Sequence, residues 1–343
     1  MSGGSRAAES EVAVEEVATP QRGRSWPRSL LKLALRLVGL ALLVHVFVKN
    51  RDSFREVFAH RPDFRFLAMA FALCLSALVT TFLRWLIIVR AQGLALRLRD
   101  AVRVGFAGNA VDQIVPGQVG GDVLKANFLR RSGGGTARSV ASILLDRAIG
   151  ILGLFTLAAA MGAVDWAHAA PEVRRLIVVV WAAWLAATLG VAAALTPALP
   201  RALRPIARGR KRIEHLVEEL HAVSIAYRDR RFRVGLALVM STASHSLYAL
   251  SFSAVGLALL PNPPRLVDGL LMIPLVMFST VVPLPFGALG LSEQVSEDLF
   301  RLLGHPSGAL VMLGFRIVSL TVAVVSVTVY VSNSLDRPAT PPA

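Results

Sequence analysis

The chain has 343 residues, 55% of them hydrophobic, and a mean hydropathy of +0.59. The apolar residues fall in blocks long enough to cross a bilayer, at roughly 20 residues per helix, which excludes an ordinary soluble domain. The net charge of +15 invites a nucleic-acid partner, but the basic residues flank the apolar blocks. They read as topology signals and anionic-lipid contacts, so no nucleic acid is expected. The single Cys74 excludes a disulfide framework within one chain and a cysteine metal site.

Residues 1–28 are polar and mixed in charge, with Glu9, Glu11, Glu15 and Glu16 before Arg22, Arg24 and Arg28. They read as a disordered cytoplasmic tail. The first apolar block, 30–48, runs into Lys49, Asn50 and Arg51 without a small-residue cleavage site. It is expected to be an anchor helix and not a cleaved signal peptide. Further full-length blocks lie at 66–89, 140–164, 176–195, 234–260 and 309–331, while the apolar stretches 101–128 and 267–300 are short and interrupted.

Placing the N-terminus in the cytoplasm puts Arg90, Arg97, Arg99 and Arg103, then Arg130, Arg131 and Arg138, then the Arg-rich stretch 201–233 on one side. Arg174, Arg175, Arg265 and Arg301 fall on the other. This choice obeys the positive-inside rule. One loop dissents: 49–65 holds five basic residues outside, partly balanced by Asp52, Glu56 and Asp63. The connector 201–231 carries Ile213, Leu216, Val217, Leu220, Val223 and Ile225 at helical spacing, with Glu214, Glu218 and Glu219 interleaved. Two readings stay open for it: an amphipathic helix on the inner leaflet, or a solvated connector.

The stretch 101–128 contains Gly105, Gly108, Asn109 and Asp112 ahead of Pro116 and Gly117, which stop a helix. Gly120 and Gly121 let a new one start, with Asp122 in its first turn. The stretch 267–300 has the same grammar: a short apolar helix, a break at Pro283, Pro285 and Gly287, then Gly290 and a helix opening with Glu293. A helix, a turn and a helix within one bilayer depth make a re-entrant hairpin, which needs protein or water to cover its backbone.

A shift of 169 residues lays Pro116 on Pro285, Gly121 on Gly290, Gly135 on Gly304 and Arg147 on Arg316. Asp122 and Glu293 miss this alignment by two residues. Three full spans separate the two hairpins, and an odd number inverts one relative to the other. The expected fold is therefore all-α: six full transmembrane helices plus two inverted re-entrant hairpins, or eight helices if the hairpins span. The membrane domain covers 29–333, with repeat halves at about 66–196 and 234–332, and residues 334–343 form a second disordered tail.

Arg147 and Arg316 lie too deep in their spans for easy snorkelling and need a partner or water. Asp146 points about 100° away from Arg147 on a helix, so the hairpin acids Asp122 and Glu293 are the better candidates. Arg84, beside Trp85 near a span end, reads as an interfacial anchor. A guanidinium binds phosphate bidentately, and the Gly120–Gly121 helix start adds backbone donors. Arg147, Arg316, Asp122, Glu293, Lys125 and Asn109 are thus the candidate lipid-headgroup residues. The alternative is a structural ion pair locking each hairpin. His45 and His245 read as hydrogen-bonded packing residues. No phosphate-loop, His-Glu-x-x-His or Gly-x-Ser-x-Gly motif occurs, so no cofactor, no metal and no catalytic residue is expected.

Val115-Pro116-Gly117-Gln118-Val119-Gly120-Gly121-Asp122, then Arg130-Arg131-Ser132-Gly133 and Leu145-Asp146-Arg147, resemble the flippase-like transmembrane domain of the lysylphosphatidylglycerol synthetase/flippase family. Pro283 through Glu293 is similar to that family's second signature. The resemblance covers roughly 30–332 and implies movement of a lipid between leaflets of the bacterial inner membrane. Larger members carry a soluble domain that aminoacylates phosphatidylglycerol. This chain ends at Ala343 in a short polar tail, so that activity is not expected. The expected partners are membrane lipids, phospholipid or isoprenoid-linked. Enzymes of an envelope-lipid, hopanoid or glycan pathway would be the partners if the chain is a non-transporting accessory subunit. A membrane enzyme using Asp122 and Glu293 as acid and base is the remaining reading.

Overall fold

The computed structural model describes residues 62–112, 119–196, 198–209, 211–227, 229–279, 290–305 and 307–335. The span expected at 30–48, the N-terminal tail, residues 336–343 of the C-terminal one, and the break residues Pro116, Gly117, Pro283, Pro285 and Gly287 lie outside the described residues. All regular structure among the described residues is helical. Five helices are long and apolar enough to cross a membrane. They are α1 (Phe64–Ala91), α4 (Thr136–Asp165), α5 (Pro171–Ala194), α8 (Arg231–Leu259) and α11 (Gly308–Leu335). They coincide with the second to sixth expected spans. The interrupted stretches form short helices: α2 (Leu98–Asp112) and α3 (Gly120–Leu129), then α9 (Leu266–Ser279) and α10 (Leu291–Arg301). The connector between α5 and α8 holds α6 (Ala198–Ala207) and α7 (Lys211–Tyr227).

Local signals set several ends. Asp63 caps α1 by accepting from the Arg65 amide at 2.9 Å, and Pro171 opens α5 where its missing N–H is not needed. After α3 a π-turn at Arg130–Gly134 and the left-handed Gly133 (φ 87°) redirect the chain into α4.

Helices α1 and α8 form the central pair. Asp63 N donates to Ala258 O (3.2 Å) and Ser251 Oγ to Ala70 O (2.7 Å) at one end. Further along, Arg84 Nη1 donates to Ser241 Oγ (2.9 Å) and Arg233 Nη1 to Arg90 O (2.7 Å). Moving up α1 moves down α8, so the two run antiparallel over their whole length. The other contacts fall into two matching sets around this pair. Helix α2 packs on α1 and α3, and α3 on α4; α9 packs on α8 and α10, and α10 on α11. The sets also cross, because α2 packs on α11 and α9 on α4. Small residues allow close approach, as membrane helices require. A Cβ on Gly153 of α4 would stand 2.5 Å from the Ser241 Cβ on α8.

Neither sequence reading of the connector describes α7 fully. It packs on α4, with Val217, Ser224 and Tyr227 buried. Tyr227 Oη donates to Ile88 O (3.2 Å) and accepts from Gln92 Nε2 (2.6 Å). Burial pushes the Tyr227 phenol above its ordinary pKa, so it remains a donor at physiological pH.

Replacing Gly153 by Val should therefore force α4 from α8 and cost about 1–3 kcal/mol by overpacking. Gly190 faces open space, so Gly190→Ala should not lower stability. Thermal unfolding of both variants in detergent, followed by Trp fluorescence, checks the contrast.

Candidate functional site

Helices α3 and α10 each carry an acid in their third position: Asp122 in α3 and Glu293 in α10. A carboxylate there faces the positive end of the helix dipole. Each acid pairs with an arginine of the helix that follows. Arg147 of α4 donates through Nε to Asp122. Arg316 of α11 reaches Glu293 Oε1 through Nε (2.9 Å) and Nη2 (2.8 Å). Arg84, bonded to both Asp146 and Ser241, places Arg147 toward the Arg90 end of the bundle. Gly256 lies beside Val311, which places Arg316 toward the Asp63 end. The two pairs thus occupy opposite halves and do not form one cluster.

This geometry revises the repeat alignment. Asp122 and Glu293 hold the same helical position although their spacing is 171 residues, while Arg147 and Arg316 are 169 apart. Gly121 and Gly290 do not correspond: Gly290 is the N-cap of α10 at φ 86°, whereas Gly121 lies inside α3. Gly135 and Gly304 do correspond, with φ 70° and 79° just before α4 and α11.

The surroundings of the two pairs differ. Glu293 is fully buried, and its Oε2 accepts from Gly290 N (2.6 Å) and Ser292 Oγ (3.0 Å). Ser292 Oγ in turn accepts from Arg316 Nη2 at 2.8 Å. One turn on, buried Glu297 accepts from Arg301 Nε (2.7 Å) and from Ala309 N (3.1 Å), tying α10 to the start of α11. Helices α2 and α3 touch at Gly108 and Gly121, where a Cβ added to Gly108 would stand 3.2 Å from the Gly121 Cα. Asp112, the last residue of α2, accepts from Gly121 N at 2.8 Å. The expectation that the Gly120–Gly121 amides face an anionic ligand is corrected at Gly121, whose N–H is held by this carboxylate. Lys125 places its Nζ 5.4 Å from the Trp85 ring, a cation–π contact between α3 and α1. Asn109 donates to Ser326 Oγ at 3.0 Å and joins α2 to α11. Four of the expected headgroup residues therefore form two ion pairs, and the other two hold the first hairpin in place.

A third pair was not visible in the sequence. Arg84 is buried and not an interfacial anchor. It bonds Asp146 through Nε (2.8 Å) and Nη2 (3.1 Å). Asp146 and Arg147 are neighbours pointing in different directions on α4, so each finds a separate partner. An added Cβ at Gly150 would stand 3.5 Å from the Arg84 guanidinium, and the Gly150 carbonyl meets His245 Nε2 at 3.0 Å. The signal was two opposite charges at similar depth in the spans 66–89 and 140–164.

At the Asp63 end, Arg265 bridges Asp268 (2.7 Å) and Asp165 (3.4 Å) in a cleft of about 290 Å³ that His168 and His305 also line. It contains none of the expected site residues.

Over residues 30–326 the sequence matches the family model described as the lysylphosphatidylglycerol synthase TM region. The chain belongs to this family. It is a multi-pass membrane protein, and the ion pairs of Arg84, Arg147 and Arg316 lie within the matched segment. No curated protein and no solved structure matches the chain.

Breaking one partner of a buried ion pair leaves an uncompensated charge and costs about 3–5 kcal/mol, whereas removing both costs less. Arg84→Met and Asp146→Leu should each destabilise this TM region by that order. The double variant should recover a large part of the loss. Unfolding in a mixed-micelle titration of all four proteins measures the coupling.

Proposed function

We propose that the chain is a flippase-like protein that moves a lipid with an anionic headgroup between leaflets of the inner membrane. The observation that carries this reading is the repeated acid–arginine pair. Each lies at the start of a broken helix, one in each half of a bundle whose central helices run antiparallel. Antiparallel α1 and α8 are what an inverted repeat requires, and discontinuous helices in inverted repeats are where transporters place their substrate sites. The arms support re-entrance. With 15, 10, 14 and 11 residues, each reaches about 15–22 Å at 1.5 Å per residue, short of a core about 30 Å thick. The crossed packing of α2 on α11 and α9 on α4 would cover the backbone at the tips. The headgroup would meet a guanidinium while its acyl chains stay in lipid. In this reading both chain ends face the cytoplasm, and no chemical step falls to the protein.

A second reading has one specific support. The arginines of both hairpins have protein carboxylates as partners, which fits an accessory subunit whose ion pairs only lock the fold.

Reconstitution into vesicles with fluorescent phospholipids and isoprenyl phosphates separates the two. The expected result is translocation above empty vesicles. Arg147→Ala should reduce it about tenfold or more, the size of a lost charge-assisted hydrogen bond, in protein that still purifies as a monodisperse species. No translocation across the panel, or loss of folded protein without a specific transport defect, would favour the accessory role.

A further inference from the structure

The two ion pairs are equivalent in position and unequal in access. The Arg147 side chain is 43% exposed and Asp122 18%, whereas Arg316 is 20% exposed and Glu293 0%. Glu293 is also held by the Gly290 amide and the Ser292 hydroxyl, so removing it would strand several donors in the core. Among the described residues Asp122 is bonded by Arg147, whose side chain keeps the larger exposure of the two arginines. The other anion-seeking group of this hairpin, the Gly121 amide, is also held by a carboxylate of the hairpin itself, Asp112.

We infer that Arg147, and not Arg316, is the group that binds a phosphate, and that Asp122 is an internal stand-in for it. This deepens the headgroup reading above and rests on it for the biological source of the phosphate. A carboxylate and a phosphate oxygen offer a guanidinium the same kind of acceptor, and phosphate offers more of them. A ligand must therefore displace Asp122. The measured affinity is reduced by the fraction of molecules in which the guanidinium is already taken. Lys125, one turn along α3 from Asp122, supplies a second positive charge near the same opening. The Arg316–Glu293 pair is a fixed fastening of α10 to α11.

The two acids should respond to neutralisation with opposite results. Binding is measured in detergent with two probes, dihexanoyl phosphatidate and inorganic phosphate. Asp122→Asn should bind dihexanoyl phosphatidate roughly tenfold tighter than the natural chain, as expected if the pair occupies nine-tenths or more of molecules. Adding Arg147→Gln to that variant should abolish the gain. Glu293→Gln should lower the unfolding temperature and bring no gain. Asp122→Ala serves if the Asn variant does not fold. A gain with the lipid probe alone assigns the site to a headgroup held at the bilayer, and a gain with both probes assigns it to the phosphate group itself; either supports the inference. Unchanged affinity in both Asp122 variants, or an equal gain in Glu293→Gln, overturns it. Vesicle transport by the same preparations keeps the two conclusions apart. Transport without a binding gain sinks the stand-in and leaves the flippase reading, and a binding gain without transport does the reverse.

Discussion

Placing a guanidinium in hydrocarbon costs at least about 2.5–3.5 kcal/mol on insertion scales, so each arginine within a span dictates where a carboxylate must lie. Arg84, Arg147 and Arg316 each meet one. Much of the architecture can be read as the consequence. Arg147 brings α3 to α4, Arg316 brings α10 to α11, and Arg84 gathers α1, α4 and α8 around one charge. The second arm of each hairpin is short and weakly apolar, and an isolated helix of that length is marginal. Its first-turn acid gives it a fixed seat on the long helix that follows. Packing then fills in around these seats with small residues and hydroxyls that bond within their own helices.

The two halves diverge at one position beside this shared device. The residue before Arg147 is Asp146; the residue before Arg316 is Phe315. Asp146 draws Arg84 into the core at the Arg90 end. Phe315 instead joins an aromatic group, with its ring 5.6 Å from Phe252 and 6.5 Å from Tyr248, while Phe252 stacks on Phe300 at 5.8 Å. The residue preceding the arginine thus feeds a charge pair in one half and a group of packed rings in the other. Rings of this kind seal against water without orientation-dependent hydrogen bonds, and Glu293 lies in the same half fully buried. The half with the charge pair is where the accessible pair, Arg147 with Asp122, is found.

Five of the six expected spans were legible because apolar runs of this length, even with an isolated charge or two, have few other destinations. The start of α3 was legible because Gly120 and Gly121 let a new helix begin, and α3 opens at Gly120. The partners of Arg147 and Arg316 were legible by need: each deep arginine requires an acid, and the hairpins offer few. Arg84 was misread because an arginine beside a tryptophan at a span end has the pattern of an interfacial anchor. Its true partner, Asp146, is 62 residues away. Whether the two meet depends on how α1 and α4 are rotated about their axes, and an all-round apolar helix does not declare its rotation. The equivalence of Asp122 and Glu293 was obscured by two residues of difference in spacing. Helical position, counted from the start of each arm, restores it.

Halves built alike from one chain need not be in the same state. Where two inverted units surround a common axis, a fully symmetric arrangement would expose or bury both acid–arginine pairs together. The observed arrangement does neither. Helix α10 is fastened to α11 twice, through Glu293 and through Glu297. Helix α3 is fastened to α4 through Asp122 and leans on α1 through Lys125. Helix α3 is also tied to α2, where Gly121 N donates to Asp112. Moving α10 against α11 would break the Arg316 contact of Glu293 and the Ala309 contact of Glu297, and a buried carboxylate that loses its guanidinium is left uncompensated.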